Sequence, residues 1–188
     1  MDIHDLQRMT DEYGEGWAGP HARRLLKLID RIGTGLSYDQ EALSYAVWLH
    51  DWGAFTRFRH SGVDHGLRSR QVAETEILPQ VQLTNRQKTI ILDAIEYHDY
   101  RCVLPVWSQE AILLREADFL DFLGAIGVAR EAAWGPNQLK KVIARIKSRR
   151  DGIRGHFTIP AAQAIAEERL ARMETILNWI DEESVGEL

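Results

Sequence analysis

The stretch "AVWLHDWGAFTRF", residues 46–58, sets His50 and Asp51 side by side at the end of an apolar run, between Trp48 and Trp52. Groups that carry charge are costly to bury. The run before them nevertheless reads as the inward face of a helix, because Leu43, Val47 and His50 follow the i, i+4, i+7 spacing of one stripe. Two other segments repeat the arrangement. His21, Leu25, Leu28 and Ile32 form a stripe headed by a histidine, and Ile91, Ile95 and His98 form one that ends in a histidine. Three separate helices are therefore predicted to point an imidazole inward.

Asp118 joins them by a different route. Leu113, Leu114, Ala117, Phe119, Leu120, Phe122, Leu123 and Ile126 cover most of the circumference of its helix, so its carboxylate is predicted to be buried whichever way the helix turns. A buried carboxylate needs a compensating partner. Taken singly, each residue has a plain structural role: a hydrogen-bonded core histidine, an Asp118 paired with Arg115 three residues earlier, an Asp51 in the turn before Gly53. Taken together, imidazole nitrogens and carboxylate oxygens converging from several helices satisfy one another through a divalent cation.

The rest of the chain bounds the answer. Its 188 residues, 45% apolar, suffice for one good-sized core, and neither a repeat nor a linker-like shift in composition interrupts them. The periodicity predicts helices over 20–33, 39–51, 65–78, 85–99, 109–131, 137–150 and 160–182, without strand-like alternation. A single all-α domain over 1–188 is the expectation. The net charge of -5 carries no basic footprint for a nucleic acid or a membrane surface. A small anionic substrate needs only a few local cations. One cysteine, Cys102, excludes an intrachain disulfide and a cysteine-based zinc site. The N-terminus has no cationic-then-apolar leader, and "AILLREADFLDFLGAIGVA" carries too many charges for a lipid span, so a cytoplasmic protein is expected.

These residues carry a resemblance. His21, the doublet His50-Asp51 and the distant Asp118 resemble the H…HD…D pattern of the HD-domain superfamily of metal-dependent phosphohydrolases. His65 in "DHGLRSRQVAE" and His98 in "AIEYHDY" look like the extra histidines of its H…HD…H…H…D branch. "READFLDFLGAIGVAR" and "HARRLLKLI" are similar to segments of a group of bacterial members, and the match runs over about residues 17–130, with the helices of 137–182 packing on that core. Two positions depart from the pattern: Trp52 stands where a small aliphatic residue is frequent, and Phe119 where the similar group often has arginine. Both bear on substrate choice.

The resemblance implies an all-α HD-domain bundle, a divalent metal site between helices, and hydrolysis of a phosphate ester. It implies that His21, His50, Asp51 and Asp118 hold one ion, and that Asp51, the central catalytic residue, bridges to a second held by His65 and His98. His60, five residues before His65, is the rival for that place. A histidine-rich N/O ligand set suits Fe, Mn, Co, Ni or Zn better than Mg or Ca, with one or two ions bound. Arg24 and Arg68, one turn beyond His21 and His65, are expected to border the metal pocket and bind substrate phosphate. Arg130 has the same role by resemblance alone.

The expected partner is a small phosphorylated substrate, with a nucleotide among the options. The six tryptophans read as core or edge packing, with base stacking as an alternative for Trp52. Ile165, Met173, Ile176, Leu177 and Ile180 on the last helix offer either core packing or a homodimer face. Two other function classes fit the same residues: a non-catalytic nucleotide sensor, and a diiron oxygenase-like HD protein.

Overall fold

The computed structural model describes residues 1–102 and 104–188. Among them are nine α-helices and no β-strand: α1 Ile3–Tyr13, α2 Ala18–Ile32, α3 Gln40–Leu49, α4 His65–Val72, α5 Asn85–Glu96, α6 Gln109–Asp121, α7 Gly124–Trp134, α8 Leu139–Ile153 and α9 Pro160–Glu183. No helix among the described residues is long and apolar enough to cross a membrane. The chain forms two compact units, Met1–Ala117 and Asp118–Leu188.

In the first unit, α3 packs against α5, α1 and α2, and α4 packs against α5. Helix α3 is apolar almost all round, with every residue from Ala42 to Leu49 buried except Ser44, as befits a helix enclosed by three others. Its start is fixed by Asp39, whose side chain accepts from the Ala42 amide. The Asp39 amide in turn donates to the buried Glu110 carboxylate, 2.7 Å away. Helix α5 opens on a capping box, in which Thr84 accepts from the Gln87 amide and Gln87 accepts from that of Thr84.

Helix α1 was not among the sequence expectations, although "MDIHD" holds its signal. Asp2 and Asp5 cap it reciprocally, and Leu6 and Thr10 one turn apart are buried. Thr10 then ties α1 to the end of α3: Trp52 Nε1 donates to Thr10 Oγ1 at 3.0 Å, and Thr10 Oγ1 donates to the Trp48 carbonyl at 3.2 Å. Trp52 is fully buried and stacked on Phe58 at 5.2 Å between centroids, which removes it as a platform for a base. Trp48 is buried too. Trp107, Trp134 and Trp179 are exposed, at 86%, 61% and 57%, against the expectation that they pack.

Two expected helices are interrupted. The one expected over 65–78 narrows to α4, followed by a wide turn over Ala73–Ile77 and a tight one over Leu78–Gln80, where Pro79 lacks an amide proton. The one expected over 109–131 breaks between α6 and α7. Leu123 is extended and Gly124 has a φ of 71°, a left-handed conformation that glycine adopts without cost. Gly127 then lies so close to the Phe122 carbonyl that a Cβ would sit 2.0 Å from its oxygen.

In the second unit α7 packs against α8 and α9. The buried Glu131 is held by Arg145 and Arg149 at 2.6 and 2.5 Å, and Asp121 by Arg130 at 2.6 Å. Arg130 is thus engaged with a carboxylate of its own unit. On α9, Met173 and Leu177 are buried while Ile165, Ile176 and Ile180 are half-buried, so core packing takes much of the apolar stripe.

Replacing a buried tryptophan by alanine costs about 3–5 kcal/mol. Trp52→Ala is therefore expected to lower the thermal unfolding midpoint by about 6–20 °C, read by circular dichroism. A midpoint unchanged from wild type would place Trp52 outside the core.

Candidate metal centre

Helix α3 ends at Leu49, so His50 and Asp51 stand on the turn after it, not on the helix to residue 51 that the periodicity suggests. The His50 amide still donates to the Ala46 carbonyl. Its ring then folds back on the same helix end, and Nδ1 donates to the Val47 carbonyl at 2.8 Å. A carbonyl only accepts, so the proton of the neutral ring sits on Nδ1 and Nε2 presents a lone pair. His98, just past α5, repeats the device with Nδ1 donating to the Ile95 carbonyl at 2.6 Å. Both residues are buried, and each aims an unprotonated nitrogen away from its own helix end.

Each of these nitrogens meets a second imidazole. His50 Nε2 lies 3.2 Å from His21 Nε2, and His98 Nε2 lies 3.2 Å from His65 Nε2. Asp51 stands between the pairs. Its Oδ2 is 3.6 Å from His21 Nε2 and 3.3 Å from His50 Nε2, while its Oδ1 is 3.6 Å from His65 Nε2 and 3.8 Å from His98 Nε2. The result is two triads, His21-His50-Asp51 and Asp51-His65-His98, that share one carboxylate.

The backbone holds the triads in register. Gly53 sits where a Cβ would come within 2.3 Å of the His65 carbonyl oxygen, so only glycine lets the turn after Asp51 lie against the first turn of α4. Its amide donates to Ser69 Oγ at 2.8 Å, and Ser69 Oγ donates to the His65 carbonyl at 2.8 Å. Asp64 caps α4 and so fixes where His65 begins it.

The donor set fits a metal ion. Nitrogen and oxygen ligands roughly 2.1 Å from a common ion at angles near 90–110° stand about 3.0–3.4 Å apart. The inter-donor distances of 3.2–3.8 Å lie close to that range. Four imidazoles and one carboxylate suit a transition ion better than Mg or Ca. Ligating histidines are oriented by what their other ring nitrogen bonds, which is what Val47 and Ile95 do here. Burial opposes ionisation of Asp51; where the rings take up protons in place of an ion, the charge and hydrogen bond of protonated His50, with the charges of His21 and His65, outweigh it and hold the carboxyl well below the usual range.

The sequence-derived candidates divide. His21, His50, Asp51, His65 and His98 come together; His60 is exposed and in neither triad. Asp118 is buried on α6 in the second unit and is in neither triad. Arg24 is half-buried one turn after His21. Arg68 is held by its surroundings, with Nε donating to the Phe58 carbonyl at 2.7 Å and Nη1 to Gln71 at 3.3 Å.

Asp99 and Arg101 are functional candidates that the spacing argument passed over. Asp99 Oδ2 lies 3.4 Å from His65 Nε2, and Arg101 Nη2 lies 3.2 Å from His65 Nδ1. A signal was present: His98-Asp99 repeats the His50-Asp51 doublet. Burial pushes the Asp99 carboxyl up, but the side-chain and backbone hydrogen bonds from Arg101 lead the effects that outweigh it and hold the group at about 2.

A carboxyl ordinarily near 3.8 and lowered to about 2 in the folded protein stabilises the fold above pH about 4, and that contribution disappears as the pH falls toward 2. Denaturant unfolding of chelator-treated wild type and Asp99→Asn across pH 6 to 2 should show the wild-type advantage shrinking below pH about 4. A difference that stays constant to pH 2 would contradict the assignment.

No family model matches the chain, and no curated protein sequence matches it. Solved structures do. A predicted HD superfamily hydrolase from an uncultured Thermotogales bacterium is 20% identical with a TM-score of 0.65, over 95% of this chain and 91% of that one. An HD-superfamily hydrolase from Bacillus thuringiensis is 20% identical with a TM-score of 0.63, over 96% and 93%. Bacillus subtilis YpgQ in complex with ADP is 17% identical with a TM-score of 0.68, over 96% and 94%. Over nearly its whole length, the chain has the all-α fold of HD-superfamily hydrolases.

Proposed function

We propose that this chain is a metal-dependent phosphohydrolase that cleaves the phosphate ester of a nucleotide or another small phosphorylated metabolite with a water nucleophile, and that residues 1–188 act as one domain. The observation that carries the reading is the pair of triads sharing Asp51, with His50 and His98 each held at Nδ1 by a backbone carbonyl so that Nε2 faces the other members of its triad. A site of interaction only has no need of that arrangement.

In this reading His21, His50 and Asp51 hold one divalent transition ion, and His65, His98 and Asp51 a second. A bound ion supplies Lewis acidity toward a phosphoryl oxygen and acidifies water toward neutral pH. The chain's own part is to place Asp51 so that one oxygen serves each triad, and to keep imidazole lone pairs in place without reorganisation. Ser69 is withdrawn from the chemistry, because its hydroxyl accepts from Gly53 and donates to the His65 carbonyl. That commitment favours water over a serine nucleophile.

The likeness to YpgQ, which was crystallised with ADP, supports a nucleotide as substrate. With Trp52 buried, base recognition falls to other residues.

The test is phosphate release from nucleoside mono-, di- and triphosphates, a cyclic nucleotide and the nitrophenyl mono- and diesters. The protein is stripped with chelator and reloaded with Mn, Fe, Co, Ni or Zn. Hydrolysis that depends on one of these metals is expected, and Asp51→Ala is expected to lose more than about 100-fold, beyond what supporting residues of metal sites usually contribute. Oxygen-dependent turnover with no phosphate released would favour the diiron reading, and hydrolysis untouched by Asp51→Ala would contradict the proposal.

A further inference from the structure

The geometry points to Arg101 as the cation that takes a phosphoryl group of the substrate, held at the open side of the second triad by Asp99; the inference rests on the phosphohydrolase reading above. Sequence spacing nominated Arg24 and Arg68 for this task. Arg68, however, is held by the Phe58 carbonyl and Gln71.

Arg101 is placed differently. Its Nε and Nη2 donate to the two oxygens of Asp99, each at 2.8 Å, and its backbone amide donates to Asp99 Oδ1 at 2.7 Å. A planar guanidinium held at both prongs of a carboxylate and by a backbone turn has little freedom left. The fork rests against the triad, with Nη2 3.2 Å from His65 Nδ1. Asp99 itself is only 13% exposed and lies 3.4 Å from His65 Nε2, so the anchor is part of the site's wall. The far amine, Nη1, carries two N–H groups and has no hydrogen-bond partner among the described residues, and the Arg101 side chain is 60% exposed.

That combination suits recognition of an anion better than it suits stability. The ion pair with Asp99 uses one edge of the guanidinium, and the exposed edge adds little to folding. An aligned guanidinium beside metal-ligating histidines, with two donors unused, presents charge-assisted hydrogen bonds where phosphoryl oxygens would sit. Asp99 is then a positioning residue: it aims the fork and tempers its charge, so that one face of the guanidinium is committed and the other is left for substrate.

The experiment measures inorganic phosphate binding by titration calorimetry, with and without Mn, together with Mn bound per chain, for wild type, Arg101→Ala and Arg101→Lys. Losing hydrogen bonds to a charged group corresponds to about 10- to 100-fold in Kd. Arg101→Ala is expected to weaken phosphate binding by that factor while keeping the wild-type Mn content, and Arg101→Lys to recover part of the loss. If Mn loads normally and Arg101→Ala binds phosphate as wild type does, this inference fails and the phosphohydrolase reading stands. If wild type takes up none of Mn, Fe, Co, Ni or Zn yet binds phosphate through Arg101, the phosphohydrolase reading fails and Arg101 is left as an anion site without the metal chemistry. Wild type that loads Mn but binds no phosphate overturns this inference and leaves the phosphohydrolase reading standing.

Discussion

One carboxylate governs the arrangement of the first compact unit. Asp51 offers Oδ2 to His21 and His50 and Oδ1 to His65 and His98, and four helices supply those rings or the turns that carry them. A single buried charge among apolar side chains would be expelled or neutralised. Here its surroundings are instead built to keep it ionised. The burial of Trp52, the close approach allowed by Gly53 and the Ser69 hydroxyl bridge all serve to bring the turn after α3 against the start of α4.

The same device appears twice. His50 follows α3 and His98 follows α5, and each ring bonds the carbonyl three residues back, at a helix end where carbonyls lack intrahelical partners. A helix terminus thus does two jobs with one contact: the open carbonyl is satisfied, and the imidazole is fixed with its other nitrogen inward. Two α-helices that pack on each other, α3 and α5, therefore deliver two equivalent donors. The pairing explains why the two triads resemble one another and why a shared carboxylate suffices to join them.

Much of this was legible in the residues. Apolar stripes at helical spacing gave the all-α class and put His21, His50 and His98 inward, because burial of a stripe fixes where its terminal residue faces. His65 was harder: it opens α4, whose outer face is polar, and its place depends on the Asp64 cap and the Gly53 contact, both tertiary facts. Helix ends were the weakest reading. The break at Gly124 and the wide turn after Val72 arise from backbone conformation and packing that apolar periodicity does not encode. Arg68 illustrates the limit for cations: it stands on α4 one turn after His65, but a nearby carbonyl holds its guanidinium. Asp99 and Arg101 lay beyond the spacing argument because they follow a helix, where no periodicity constrains direction.

The central claim is that Asp51 joins two ion sites, and metal stoichiometry tests it most directly. Metal per chain is to be measured by plasma mass spectrometry on wild type and Asp51→Ala, purified without chelator or affinity-metal resin. The account predicts two transition ions per chain in wild type and loss of most of both in Asp51→Ala, since one carboxylate serves both triads. Wild-type protein that holds no ion after reconstitution with Mn, Fe, Co, Ni or Zn, or a variant that keeps the full complement, would contradict it.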